Sequence, residues 1–320
     1  AGAGVWALAA GVIAASATQF ILLLAAMRGE AMPRFDFRGL GRAEATYGGR
    51  VVLGTLVTQA LEAAETFLLA RFLGAAELGA WRTSRELVNV PMGKVMPIVN
   101  RVGFPAYARL GGDVAAARHY ALLSLRVFAA LFVPAYWGLA AVAPHAVPFA
   151  MGPQWTSAAP LAAIFGFFLP ARLLQYCLVL PHQGLGDASL VNRATLAAGG
   201  GALAGLAAGL AHGAAVAATC MALAGTVGIL LAADRARRPL GLSWGDMAGG
   251  CAPTLLAAGV MVAGVTAARL ALPAGLSHAE ALALLVPLGI AIHCAAFLAL
   301  DRGGLLRPAL SILRDVARRR

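Results

Sequence analysis

Ionisable side chains stand inside apolar stretches at a few places, and these are where chemistry could occur. Between Gly48 and Leu69, the residues Thr55, Gln59, Glu62 and Thr66 recur at helical spacing, with Glu65 alongside. Between Leu78 and Tyr107, one helical face carries Arg82, Glu86, Asn89, Gly93, Met96 and Asn100, with Arg85, Lys94 and Arg101 beside it. Arg126 adds a cation further along, and Arg172 adds another with Gln175. Charge inside a bilayer is costly, so such groups normally face a bundle interior or an aqueous cavity. A cavity lined by Arg82, Arg85, Lys94, Asn89 and Arg126 would suit a phosphate or pyrophosphate headgroup. Guanidinium bonds phosphate oxygens in pairs, and a lysine acts as a compact point charge. Glu62 and Glu65, three residues apart and so neighbours on a helix surface, either bind a coupling cation or proton or neutralise arginines. The competing structural reading makes Arg82–Glu86 an i,i+4 ion pair, with Arg85, Arg101 and Arg172 snorkelling from helix ends.

Other chemistries lack their residues. Lys94 sits in Gly-Lys-Val, so no phosphate-binding Gly-Lys-[Ser/Thr] loop exists. The six histidines show no HExxH or His-x-His spacing. Cys177, Cys220, Cys251 and Cys294 lie singly in apolar runs and read as packing residues, with no disulfide or metal framework. There is no Gly-x-Ser-x-Gly and no Asp-rich magnesium motif. The sequence predicts neither catalysis nor a cofactor.

The elements that must position these residues are membrane helices. Hydrophobic residues make up 60% of 320, only 12% are charged, and apolar runs reach the ~20 residues that span a hydrocarbon core. Net charge is +11, and Lys94 is the only lysine. In a soluble protein that balance would point to nucleic acid. Here the arginines sit mostly in short loops, where they orient helices, so the partners expected are membrane lipids and no nucleic acid.

The expected fold is all-α, a polytopic bundle of about nine membrane helices. These run Val5–Met27, Gly48–Leu69, Leu78–Tyr107, His119–Val142, Thr156–Leu180, Ser189–Ala211, Ala214–Ala233, Ala248–Leu270 and Ala281–Leu300. The first begins directly after Ala-Gly-Ala-Gly and has its basic residues behind it, which reads as a stop-type helix of an N-terminally truncated chain. Arginines collect in alternate loops, at Arg28–Arg42, Arg109–Arg118, Arg193, Arg235–Arg238 and from Arg302 onward. That asymmetry predicts a cytoplasmic C-terminus and a periplasmic loop at His145–Trp155. The tail Asp301–Arg320 is basic and amphipathic and is expected to lie on the membrane surface. The last four helices are rich in Ala, Gly and Leu; small residues four apart, as at Gly201 and Gly205, predict close helix packing.

Five segments stand out in order and spacing: Pro33-Arg-Phe-Asp-Phe37, Glu65-Thr-Phe-Leu-Leu-Ala-Arg71 through Trp81, Val99–Asp113, Phe149-Ala-Met-Gly-Pro-Gln-Trp155 and Gly184-Leu-Gly-Asp187. Together they resemble the Wzx-type lipopolysaccharide (O-antigen) exporters of the MATE-like MOP superfamily. The likeness covers residues 30–190 in order and spacing and the remainder by hydropathy. Where the family commonly has Asp, this chain has Glu65, one methylene longer. The resemblance implies about fourteen helices in the full protein, of which these are the sixth onward. Residues 1–47 would then hold the last helix of an N-terminal bundle with its cytoplasmic linker. Residues 48–235 would form a six-helix bundle, and 236–320 two further helices with the basic tail.

The resemblance further implies flipping of an undecaprenyl-pyrophosphate-linked oligosaccharide across the bacterial inner membrane by alternating access. Polysaccharide assembly proteins are implied as partners, and Glu65 is favoured over Glu62 for the coupling role. The alternatives are a cation antiporter of the same fold, which should be acidic and aromatic where this cavity reads as net basic; a membrane glycosyltransferase or ligase; and a non-catalytic assembly subunit.

Overall fold

The computed structural model describes residues 4–26, 41–110, 113–184, 188–273 and 275–301. The Pro33–Phe37 motif, Leu185–Asp187 and the tail beyond Asp301 lie outside the described residues. Among those described there is no β-strand. The helices are α1 (Gly4–Ala26), α2 (Arg42–Phe72), α3 (Gly74–Arg109), α4 (Val114–Met151), α5 (Ala159–Phe168), α6 (Pro170–Gly184), α7 (Ala188–Gly209), α8 (Ala214–Arg237), α9 (Trp244–Ala271) and α10 (His278–Asp301). The chain forms two compact units, 1–46 and 47–320. In the first, α1 exposes apolar residues such as Trp6, Ile13 and Phe20. The rest of the description concerns the second.

Seven described segments are long and apolar enough to cross a membrane, where about nine were expected. Helix α1 is 23 residues long, and its stretch Ala10–Ala26 is apolar. Helix α3 carries too many charges, although it runs 36 residues without interruption through Pro91, Pro97 and Pro105. One correction concerns Thr156–Leu180, expected as one helix. It is a short 3-10 helix, Pro153–Ala158, followed by α5 and α6 with a break at Leu169. Pro170 causes the break, because it has no N–H to donate and its ring crowds the preceding turn.

Helix α4 is the central post. Its buried residues, among them Phe132, Tyr136 and Ala143, share one core with Leu69, Trp81 and Leu161. Trp81 meets Phe165 edge-on, with ring centroids 5.1 Å apart. On the other side of α4, Ala141 and Val142 pack with Met261, Val265 and Leu285 of α9 and α10. Two polar contacts reinforce that joint: Arg269 donates to the Ala141 carbonyl at 3.0 Å, and the Nδ1 atoms of His145 and His278 lie 3.2 Å apart.

Helices α7 and α8 approach backbone to backbone. A Cβ on Gly201 would stand 2.8 Å from the Ala224 carbonyl oxygen, and one on Gly209 would stand 2.6 Å from the Ala217 Cα. Gly213, at φ 91°, turns the chain between them in a conformation that glycine adopts without strain. Here the small-residue pattern does what its spacing predicts. Helix α2 is held differently. Its membrane-spanning window is 0% buried, and side chains tie it to the bundle: Asn192 on α7 donates to the Arg50 carbonyl at 2.7 Å, and Leu61 packs over Gly199.

Candidate functional site

Where α2 stands off from its neighbours, a cavity of about 260 Å³ opens between it and α3, α5, α6, α7 and α8. Its polar wall is Thr58, Glu62, Glu65, Arg85, Asn89, Arg172, Gln175, Thr195 and Thr226. Asn89, Arg172, Gln175 and Thr195 also line an adjoining space of about 380 Å³ that runs along α3 toward Met96 and Tyr176. The two spaces therefore meet at Arg172.

Glu65 is the fixed member of the set. Its Oε1 accepts the Trp81 indole N–H at 3.0 Å and forms an ion pair with Arg85. The side chain of Glu65 is only 12% exposed, so both donors act where water competes little. Trp81 is buried against Phe165 and cannot follow if the carboxylate moves. Glu62, one helical turn away, also lines the cavity, and its carboxylate has no ion pair or hydrogen bond among the described residues. Arg172 likewise has no ion pair there. Its side chain is exposed, yet the space it faces is the cavity at mid-bundle. The break at Leu169–Pro170 places this arginine at the start of α6, well inside the span Pro153–His182. Two carboxylates and two guanidiniums thus share the wall, so the interior cavity is balanced in charge where the sequence reading expected it to be net basic.

No metal-sized cluster of three or more His, Cys, Asp or Glu side chains occurs among the described residues. The buried Tyr136 hydroxyl lies near Arg172 and the Met92 backbone.

Residues 1–160, half of the chain, match the protein family described as "polysaccharide biosynthesis protein". The chain belongs to this family. Similar proteins include the teichuronic acid biosynthesis protein TuaB of Bacillus subtilis, 27% identical over 140 residues, which are 44% of this chain and 29% of TuaB. The lipopolysaccharide biosynthesis protein WzxC of Escherichia coli is 38% identical over 98 residues, 30% of this chain and 20% of WzxC. The succinoglycan biosynthesis transport protein ExoT of Rhizobium meliloti is 25% identical over 197 residues, 59% of this chain and 38% of ExoT. The matched part is thus well under half the length of each of these relatives. No solved structure matches the chain. The family's stretch ends at the start of α5, so it includes Glu62, Glu65, Arg85 and Asn89 but not Arg172.

The structure brings together six of the residues singled out from sequence: Glu62, Glu65, Arg85, Asn89, Arg172 and Gln175. It does not bring Arg82, Lys94 or Arg126 to them. Arg82 is exposed and donates to Thr66 Oγ1. Lys94 is exposed as well, about a third of a turn round α3 from Arg82. The expected interior position fails for both because of helical phase. Val88, Met96 and Trp81 fill the buried side of α3, which turns Arg82, Glu86, Lys94 and Arg101 outward. Arg126 lies on the opposite flank of α4, against Gly250 of α9. The Arg82–Glu86 ion pair of the structural reading is also absent among the described residues; Arg82 reaches α2 instead.

Sequence reasoning gave Arg172 no preference over a snorkelling end residue. The Pro170 two positions earlier was the available signal that a helix starts there. Thr195 and Thr226 were missed altogether, because they sit in Ala- and Gly-rich helices whose pattern speaks only of packing.

Proposed function

We propose that the protein, as part of the longer chain its relatives represent, moves a lipid-linked oligosaccharide across the bacterial inner membrane. The cargo we favour is an undecaprenyl-pyrophosphate glycan. The observation that carries this reading is the outer face of α3: Arg82, Lys94 and Arg101 are exposed along a helix whose other side is packed into a membrane bundle. Lys94, near the middle of the 36-residue α3, does not face hydrocarbon at that depth; it faces water or a polar body. A basic stripe along a watery wall is suited to phosphate, with Arg82 and Arg101 able to fork onto paired oxygens. The names of the relatives, which concern teichuronic acid, lipopolysaccharide and succinoglycan, agree with a glycan cargo. The activity is transport and not catalysis. The C-terminus is cytoplasmic, polysaccharide assembly proteins are neighbours, and two bundles rock about the stripe.

In this reading the interior cavity is a coupling site and the outer stripe is the cargo site. Glu65 is committed to Arg85 and Trp81 and holds α2 to α3. Glu62 has no competing partner, so it is the carboxylate free to take up a cation or proton during the cycle. This reverses the preference that the resemblance alone implies.

The test is export in the full-length protein. Arg82→Ala/Lys94→Ala should abolish export of the glycan while membrane insertion and folding persist, since neither side chain makes a buried ion pair. Full export by the double variant would overturn the cargo assignment. Glu62→Gln should block export at unchanged stability; normal export would remove Glu62 from coupling and leave the cargo stripe standing.

A further inference from the structure

We propose that one anionic phospholipid docks where α4 packs on α9, with Arg126 as the phosphate ligand. Arg126 belongs neither to the interior cavity nor to the outer stripe of α3. Its Nε is buried and has no hydrogen-bond partner, and its guanidinium makes no ion pair among the described residues. The side chain lies across Gly250, where a Cβ would stand 2.7 Å from Nε, 3.1 Å from Cγ and 3.4 Å from Cδ. The glycine therefore forms a cradle that fixes the guanidinium against the α9 backbone.

Depth identifies what could reach it. Helices α4 and α9 run in the same direction, since Arg118 meets Asp246 at 2.9 Å and Arg269 meets Ala141 at 3.0 Å. Helix α4 has 38 residues, so ~13 Å projects beyond a ~30 Å hydrocarbon core at each end if the helix is centred. Arg126 then falls ~5 Å inside the boundary. The same arithmetic on α9, with 28 residues, puts Gly250 ~3 Å inside. Two helices thus place the guanidinium independently at the edge of the hydrocarbon, within snorkelling distance of headgroup phosphates. Trp244, half-exposed at the start of α9, is the residue type that marks this level.

Among the described residues the carboxylates near that end already have partners: Asp113 accepts from the Ala116 N–H, and Asp301 at the end of α10 is engaged as well. Asp246 is bound by Arg118 and by Ser243. Asp234 is bound by Arg237, Arg238 and Trp244. A cation with one N–H already orphaned needs an anion for the others, and the bilayer supplies phosphate there. The exposed Arg235 and Arg238 make the surrounding surface basic, which favours a lipid of net negative charge over a zwitterionic one.

The test is native mass spectrometry of the full-length protein released from detergent containing phosphatidylglycerol. The wild type should retain one phosphatidylglycerol at least ~10-fold more tightly than Arg126→Gln does, the loss expected for one charge-assisted contact. Arg126→Lys should retain it in part. Phosphatidylcholine should be held weakly, and millimolar inorganic phosphate should not displace the lipid. A second readout needs no variant: phosphatidylglycerol should slow maleimide attack on Cys251, next to Gly250, relative to the exposed Cys294. Equal retention by wild type and Arg126→Gln, equal retention of phosphatidylcholine, displacement by inorganic phosphate, or no protection of Cys251 would each overturn the proposal.

Discussion

Helices α2 and α3 on one side, and α7 and α8 on the other, are joined by opposite means. The α7–α8 pair closes on itself backbone to backbone, with glycines removing every atom that would hold the helices apart. The α2–α3 pair is held by side chains reaching across a gap: Glu65 to Trp81 and Arg85, Thr66 to Arg82. In lipid there is no hydrophobic drive between helices, so each pair needs its own cohesion, dispersion in one and charge in the other. The difference teaches where the cavity must be. A helix docked through long polar side chains leaves volume beneath it, and a helix docked through glycine leaves none.

The largest effect should come from breaking the polar joint. Glu65→Ala leaves the buried Trp81 N–H and the part-buried Arg85 without their acceptor and should cost ~3 kcal/mol in thermal or denaturant unfolding. Replacing both partners, Glu65→Met with Arg85→Met, should recover most of that loss, because the uncompensated charge is gone. If the double variant were as unstable as the single, the pair would not be what holds α2. The glycine joint should respond next. Gly201→Ala drives a methyl into a backbone carbonyl that can only yield by moving α8, an overpacking cost of ~1–3 kcal/mol. Unlike the Glu65 variant, it should have no rescuing second-site charge change. A smaller loss, ~1 kcal/mol, is expected for Asn192→Ala, which removes the hydrogen bond from α7 to the Arg50 carbonyl of α2. Its signature should be faster hydrogen exchange in residues 48–60 with α7 and α8 unchanged. Uniform exchange across the bundle would mean that α2 is not a separately held element. The smallest effect is expected at Cys294, exposed on α10. Cys294→Ser should stay within ~0.5 kcal/mol of the wild type.

How much of this was legible depended on what each signal encodes. Apolar runs and arginine alternation gave the helices in order, and Gly201 and Gly205 announced the closest pair. Hydropathy cannot report helical phase against neighbours that are not yet placed. Arg82, Arg85 and Lys94 therefore looked equivalent, although only Arg85 shares the phase of Val88 and faces inward. Pro170 was visible but was read through, since a proline inside an apolar run also occurs in continuous helices, as Pro91 and Pro134 do here. Arg126 was grouped with the cavity on charge alone; only the packing of α4 on α9 separates it.

The charge load of α3 bears on how the protein is made. Arg82, Arg85, Glu86, Lys94 and Arg101 lie on a helix that fails the apolarity expected of a membrane span. Each central arginine or lysine adds ~2.5–3.5 kcal/mol to the cost of insertion from the translocon. Helix α3 therefore does not partition into lipid as it emerges from the ribosome. It enters in company, with Arg85 already facing Glu65 on the preceding helix and with the more apolar α4 following directly behind. Biogenesis of this region is then a cooperative event of three helices. A substitution at Glu65 would be felt first as protein left outside the membrane, before any question of transport arises.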